Sequence, residues 1–156
     1  MADHETFCTV QVADLLLGLD VSHVQEIVRD QTIHPLPRAP REVQGLINLR
    51  GKILTVIDLR ERFQKPPAEG GTGDSMVVTS SDVGTVALRV DDVREVKSVA
   101  TDTFETPPGS FQGPARALVR GVFKLEDELL LELDVARVTQ FDQETVTEQA
   151  PLPAHA

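Results

Sequence analysis

Few residues in this chain have the type and spacing for chemistry. The four histidines, His4, His23, His34 and His155, could ligate a metal, but they are spread along the sequence without the ligand spacings of structural metal sites. His23 falls in a turn and His34 precedes Pro35 in an extended segment. No HExxH, Walker A, GxSxG or CxxC pattern occurs, and the run Gly70 to Asp74 lacks the lysine and the strand-to-helix context of a phosphate loop. The 25 acidic residues include no pair that sequence marks as a buried acid and base. Asp58-Leu-Arg-Glu61 has capping-box spacing, with Asp58 placed to accept from free backbone N–H groups and Glu61 to reach back, and Asp134-Val-Ala-Arg137 offers a similar cap without the acidic partner. Capping outweighs catalysis for both aspartates. The expectation is a protein that is not an enzyme and holds no cofactor or metal.

Absent chemistry directs attention to surfaces. With neither Trp nor Tyr, the chain lacks the usual aromatic platform for sugars or single-stranded nucleic acid. The net charge of −10 disfavours nucleic acid and anionic membrane as partners. The charge is uneven, however: six basic residues face three acidic ones between Arg38 and Arg62, a local balance of +3. The longest apolar runs, such as Ile53 to Ile57 and Leu129 to Leu131, are far shorter than the ~20 residues that cross a bilayer. A polar, acidic N-terminus, Met-Ala-Asp-His-Glu, and a lone cysteine fit a cytoplasmic, reducing setting without disulfides. Cys8 alternates with Val10 and Val12, the pattern of a buried strand residue.

The elements that position these residues are short segments rich in Val, Ile, Leu and Thr between turn residues, an all-β pattern. Gln64 to Asp74 and Thr106 to Pro114 read as loops, and the acidic tail over 142–156 as poorly ordered beyond a single domain over 5–141. The chain also repeats itself. Val21, Val24 and Glu26 match Val90, Val93 and Glu95 at an offset of 69, and Gly45, Leu49, Leu54 and Asp58 match Gly121, Leu125, Leu130 and Asp134 at an offset of 76. Each half reads strand, turn, strand, a short turn ending in Val-x-Glu-aliphatic, a variable loop and a tight hairpin. Four or five strands per half suits two small barrels placed side by side. The stretch Lys52 to Ile57, aliphatic on both faces, is expected to lie buried between them, with an Arg50-Gly51 tip projecting outward.

Two motifs together carry a family resemblance. Gly18, Val24-Gln25-Glu26-Ile27, the proline-bounded Pro35 to Pro40, Gly45, Asn48-Leu49-Arg50-Gly51 and Asp58-Leu59 resemble the CheW family of chemotaxis coupling proteins, over roughly residues 7–141. The resemblance implies two five-stranded SH3-like barrels sharing a hydrophobic core, with short helical turns. It implies an adaptor that couples the cytoplasmic tip of chemoreceptors to the regulatory domain of a CheA-type histidine kinase at membrane receptor arrays. Carried over by position, the receptor-binding groove is Val24, Glu26, Gly45 and Arg50. Arg50 could offer a rigid fork of donors to a receptor helix, against the plainer reading of an exposed turn arginine. Val24 has core packing as its rival. Asn48 and Gly51 support the turn, Gly51 through a positive φ. Ile33 and Leu36 are a kinase-binding edge or ordinary packing beneath a loop.

This chain departs from the family in two places: Leu15-Leu16-Leu17 stands before Gly18 where many relatives carry an aromatic, and Glu126-Asp127 occupies the second hairpin where the first has Arg50-Gly51. The second hairpin therefore inherits no receptor role. The chain alone is expected to be a monomer. One alternative keeps the fold but serves a motility, pilus or cyclic-dinucleotide circuit, and a distant one is a small-ligand binder or enzyme on a barrel scaffold.

Overall fold

The computed structural model describes residues 3–70, 73–82, 84–109 and 113–140, so the tail expected over 142–156 lies outside the described residues. The strands are β1 (His4–Val12), β2 (Leu15–Asp20), β3 (Val24–Val28), β4 (Val43–Leu49), β5 (Lys52–Asp58), β6 (Met76–Ser81), β7 (Gly84–Arg89), β8 (Asp92–Ala100), β9 (Phe104–Glu105), β10 (Val119–Lys124) and β11 (Leu129–Leu133). Three single-turn helices, α1 (Leu59–Arg62), α2 (Pro114–Leu118) and α3 (Val135–Val138), punctuate them. The six-stranded sheet runs β8-β1-β2-β11-β10-β9 and the five-stranded sheet β3-β6-β7-β5-β4. These are the two barrels of the all-β, SH3-like architecture; the two-residue β9 is the extra strand of the first.

The repeated halves do not map onto the barrels one to one. The first half gives β1 and β2 to the six-stranded sheet and β3, β4 and β5 to the other, while the second half gives β6 and β7 to the five-stranded sheet and β8 to β11 to the first. Two parallel pairings stitch the halves together, β2 with β11 (Leu17↔Leu131) and β5 with β7 (Val56↔Ala87). Each barrel is thus completed by strands of the opposite half.

Strand alternation then divides the apolar residues among three cores. Ile47, Leu54, Val56, Met76, Val78 and Ala87 fill the five-stranded barrel, and Phe7, Leu16, Val99, Phe123 and Leu130 fill the six-stranded one. Between them lies a shared core that includes Cys8, Val10, Leu17 and Leu131 from one sheet, Ile57, Val77 and Leu88 from the other, and Leu59, Leu118 and Val138 from the helices. The runs Leu15 to Leu17 and Leu130 to Leu131 are continuous because neighbouring residues serve different cores, whereas Leu129 is exposed. Cys8 is buried, which pushes its thiol pKa up.

The stretch Lys52 to Ile57 is not buried on both faces between the barrels, as its composition suggested. Leu54 and Val56 point into the five-stranded barrel and Ile57 into the shared core, whereas Ile53 is 60% exposed beside the hairpin tip. At the end of that strand Asp58 caps α1 by accepting from Arg60 N at 2.9 Å, and Asp134 caps α3 by accepting from Arg137 N at 3.1 Å. Glu61 does not close the capping box: the Asp58 N–H donates instead to Glu42 O at 2.8 Å, and Glu61 lies 3.7 Å from Arg41 Nε. The second half repeats this arrangement, with Asp134 N donating to Leu118 O at 2.8 Å. Helix α2 opens inside the segment read as a loop. Its signal was Gly113, at φ 73°, followed by a proline in the first helical turn. No described helix is long and apolar enough to cross a membrane.

Candidate functional site

The β4–β5 hairpin closes through a two-residue tip, Arg50-Gly51, between the paired residues Leu49 and Lys52. Both tip residues have positive φ, 51° for Arg50 and 88° for Gly51, the mirror-image turn that matches the right-handed twist of the flanking strands. Gly51 adopts this conformation freely, and its N–H donates to Asn48 Oδ1 at 2.8 Å. Arg50 does not, since a side chain in the left-handed region costs about 1 kcal/mol. A strained residue at an exposed tip points to use rather than to stability.

The turn aims Arg50 across the barrel opening to β3. Arg50 Nη2 donates to Glu26 Oε2, joining strands 24 residues apart in sequence. The arginine side chain is 68% exposed, so the pair adds at most about 1 kcal/mol to stability and leaves donors free for a second acceptor. Gln25, Leu49, Lys52 and Val78 join Arg50 and Glu26 around a cleft of about 390 Å³. Its chemistry is a guanidinium fork and a carboxylate in a mainly polar cleft, suited to the polar groups of an approaching helix.

The residues singled out from sequence divide into groups. Glu26, Asn48, Arg50 and Gly51 meet at the tip. Val24 opens β3 opposite Thr79, half-buried, and packs against the shared core. Gly45 lies at the other end of β4, at a bulge, where a Cβ would stand 2.3 Å from the backbone oxygen of His34. That approach lets His34 exchange two backbone hydrogen bonds with Leu46, at 2.8 and 2.9 Å, and seats Ile33 half-buried against the five-stranded barrel's core. Leu36 is half-buried just before the turn at Pro37 and Arg38.

Sequence reasoning missed the ties between the barrels. Arg60 on α1 forms a two-pronged pair with Asp91, Nε to Oδ1 at 2.8 Å and Nη2 to Oδ2 at 2.7 Å. Asp91 also accepts from Ala13 N at 2.7 Å. Burial alone would push the Asp91 carboxyl up, but these bonds and the guanidinium charge outweigh it and hold its pKa below the ordinary value. Arg62 on the same helix donates to the carbonyls of Arg137, Val138 and Gln140 at 2.6 to 3.0 Å, capping the end of α3. Beside it, a wider hollow of about 1100 Å³ has Arg41, Glu61, Lys65 and Arg137 on its rim, a mixed-charge surface removed from the Arg50 cleft. Among the described residues no group of three or more His, Cys, Asp or Glu could hold a metal ion.

Comparison with known proteins agrees with this geometry. Residues 6–143 match the CheW-like domain family. The chain is 29% identical to the chemotaxis protein CheW of Treponema pallidum over 134 residues, 83% of this chain and 79% of that one. It is 30% identical to the chemotaxis protein CheW of Rhizobium meliloti over 126 residues, 80% and 81% of the two chains. The crystal structure of the scaffolding protein TtCheW from Thermoanaerobacter tengcongensis superposes with a TM-score of 0.81 at 29% identity, covering 91% of this chain and 95% of that one.

Proposed function

This chain belongs to the family of CheW-like domains, and from that premise we propose that it is a non-catalytic adaptor coupling chemoreceptors to a CheA-type histidine kinase. One observation carries the receptor side: a strained arginine at a hairpin tip, exposed and held by Glu26 over a cleft. In this reading the receptor tip approaches across Glu26 and Arg50, while Gly45 and Val24 act from beneath by holding the hairpin and β3 in place. Ile33, beside the Gly45 end of β4, and Leu36 belong to a separate edge that faces the kinase. Residues 5–141 form the coupling domain, which works as a monomer in the cytoplasm at receptor arrays. Each contact is modest, and array geometry raises the effective concentration of the partners.

The test begins with isothermal titration against the regulatory domain of the histidine kinase encoded beside it. Saturable binding is expected. The Arg50→Glu variant keeps its fold and its kinase affinity but loses receptor-dependent control of kinase activity in a reconstituted array. A folded Arg50→Glu protein that still transmits the receptor signal would remove Arg50 from the receptor site, and absence of kinase binding would defeat the adaptor reading.

A further inference from the structure

The matched positions of the two hairpin tips carry opposite charge. Arg50, Gly51 and Lys52 in the first correspond, at the offset of 76, to Glu126, Asp127 and Glu128 in the second. What these charges meet differs as well. At the second tip Glu128 is answered from within the chain, since Lys97 on β8 lies 3.8 Å from it and 3.6 Å from Glu95. At the first tip Glu26, the counterpart of Glu95, is taken by Arg50. The side chain of Lys52 is exposed and has no ion pair among the described residues.

Strand alternation aims this lysine. Lys52 and Leu54 share one face of β5, and Leu54, a core residue of the five-stranded barrel, lines the Arg50 cleft together with Lys52. The ammonium group is therefore carried over the barrel opening, on the side of Glu26 and Arg50, and away from the face that bears Ile53. The charged residues lining the cleft are two cations, Arg50 and Lys52, and one carboxylate, Glu26, in a chain whose net charge is −10. Once Glu26 offsets Arg50, the charge of Lys52 is left over.

We propose that Lys52 selects the partner of this cleft by pairing with an aspartate or glutamate side chain on the helix that docks there. The inference rests on the reading of the cleft as the receptor site, and adds the chemistry of the docking residue. The two cations have separate tasks. Arg50 is a planar fork already engaged by Glu26, whereas Lys52 is a compact charge on a flexible stem that can follow an incoming carboxylate. The second hairpin, with Glu128 in the place of Lys52, repels the same carboxylate, so this one position also keeps the partner helix on the first hairpin.

The test is isothermal titration of the full chain with the soluble cytoplasmic fragment of a chemoreceptor encoded beside it, at low and at high salt. Lys52→Glu should weaken binding by about tenfold, Lys52→Gln by less, and Lys52→Arg hardly at all. The salt dependence of the wild-type affinity should shrink in Lys52→Gln. A single acidic-to-lysine substitution on the receptor fragment should restore binding to Lys52→Glu while weakening binding to the wild-type chain. The proposal is overturned if Lys52→Glu binds as the wild type does, if Lys52→Gln and Lys52→Glu lose equally, or if no acidic residue of the fragment gives the charge swap. Arg50→Glu, titrated in parallel, separates the two readings: loss with Arg50→Glu alone overturns the role of Lys52 and leaves the receptor site standing. Binding that survives both substitutions, or its absence in the wild-type chain, overturns both.

Discussion

The two hairpins share a backbone and differ in almost every exposed side chain. Val43↔Ile57 and Ile47↔Leu54 in the first correspond to Val119↔Leu133 and Phe123↔Leu130 in the second, with a bulge at the same place, before Gly45 and Gly121. At the first tip Arg50 and Gly51 both have positive φ and Arg50 meets Glu26. At the second, Glu126 and Asp127 do not, and Glu95, the counterpart of Glu26, lies 3.6 Å from Lys97, which also approaches Glu128 at 3.8 Å. Positions that face a core tolerate only residues of similar shape, so they stay alike. Positions that face outward carry no such constraint, and it is there that the two ends have separated into one arginine-bearing surface and one acidic one.

The largest effect should come from the glycines that both hairpins retain. Gly45→Ala places a Cβ against the His34 backbone at a positive φ and should cost about 3 kcal/mol. Gly121→Ala meets mainly the Phe104 ring, which can swing outward, and should cost about 1–2 kcal/mol. Denaturant midpoints measure both, and equal losses would break the distinction between the two ends.

The hairpin bases should respond to pH in opposite senses. Arg60→Ala strands Asp91 and should cost about 2–3 kcal/mol at neutral pH. Because the folded Asp91 pKa is depressed, its contribution is present above its unfolded pKa of ~3.9 and is lost as pH falls through the lower folded value. Glu132→Val, which copies Val56, should instead stabilise by about 1–2 kcal/mol at neutral pH. The Glu132 pKa is raised, so its penalty is absent below its unfolded pKa of ~4.3 and appears as pH rises through the folded value. Thermal unfolding of both variants from acid to neutral pH should therefore show the Arg60→Ala loss and the Glu132→Val gain shrinking together in acid. A Glu132→Val gain that persisted below the unfolded pKa would contradict the burial argument.

The smallest effect belongs to the strained tip. Arg50→Asn relieves the left-handed conformation and gives up a solvent-exposed pair, so it should change stability by no more than about 1 kcal/mol, on the stabilising side. A shift of this sign in the denaturant midpoint, with receptor coupling lost, would identify Arg50 as a residue kept for binding at some expense of stability.

Much of the frame was legible in the sequence. The repeat, the strand pattern and the Asp58 and Asp134 caps are local signals, and each cap bond spans at most three residues. The Arg50-Gly51 tip was equally visible, because a two-residue turn between alternating segments leaves little choice of register. Ile53 was misread because a run of aliphatic residues does not show where the strand leaves the barrel. Glu61 was misread because the Glu42 carbonyl, a non-local acceptor, takes the Asp58 N–H first. The Arg60–Asp91 pair had no signal at all, since its members are 31 residues apart on different elements.

By itself the sequence determined what short-range physics can determine: alternation of period two, turns that need particular residues, capped helical turns, and a motif that says the same thing twice. Only the tertiary structure decided how the halves interleave, because two parallel pairings between distant strands assign each half's strands to both barrels. The same long-range assembly decided which charges are buried. Val56 and Glu132 occupy matching strand positions, and what makes one a core residue and the other a buried carboxylate beside Arg120 is the set of distant side chains packed around each.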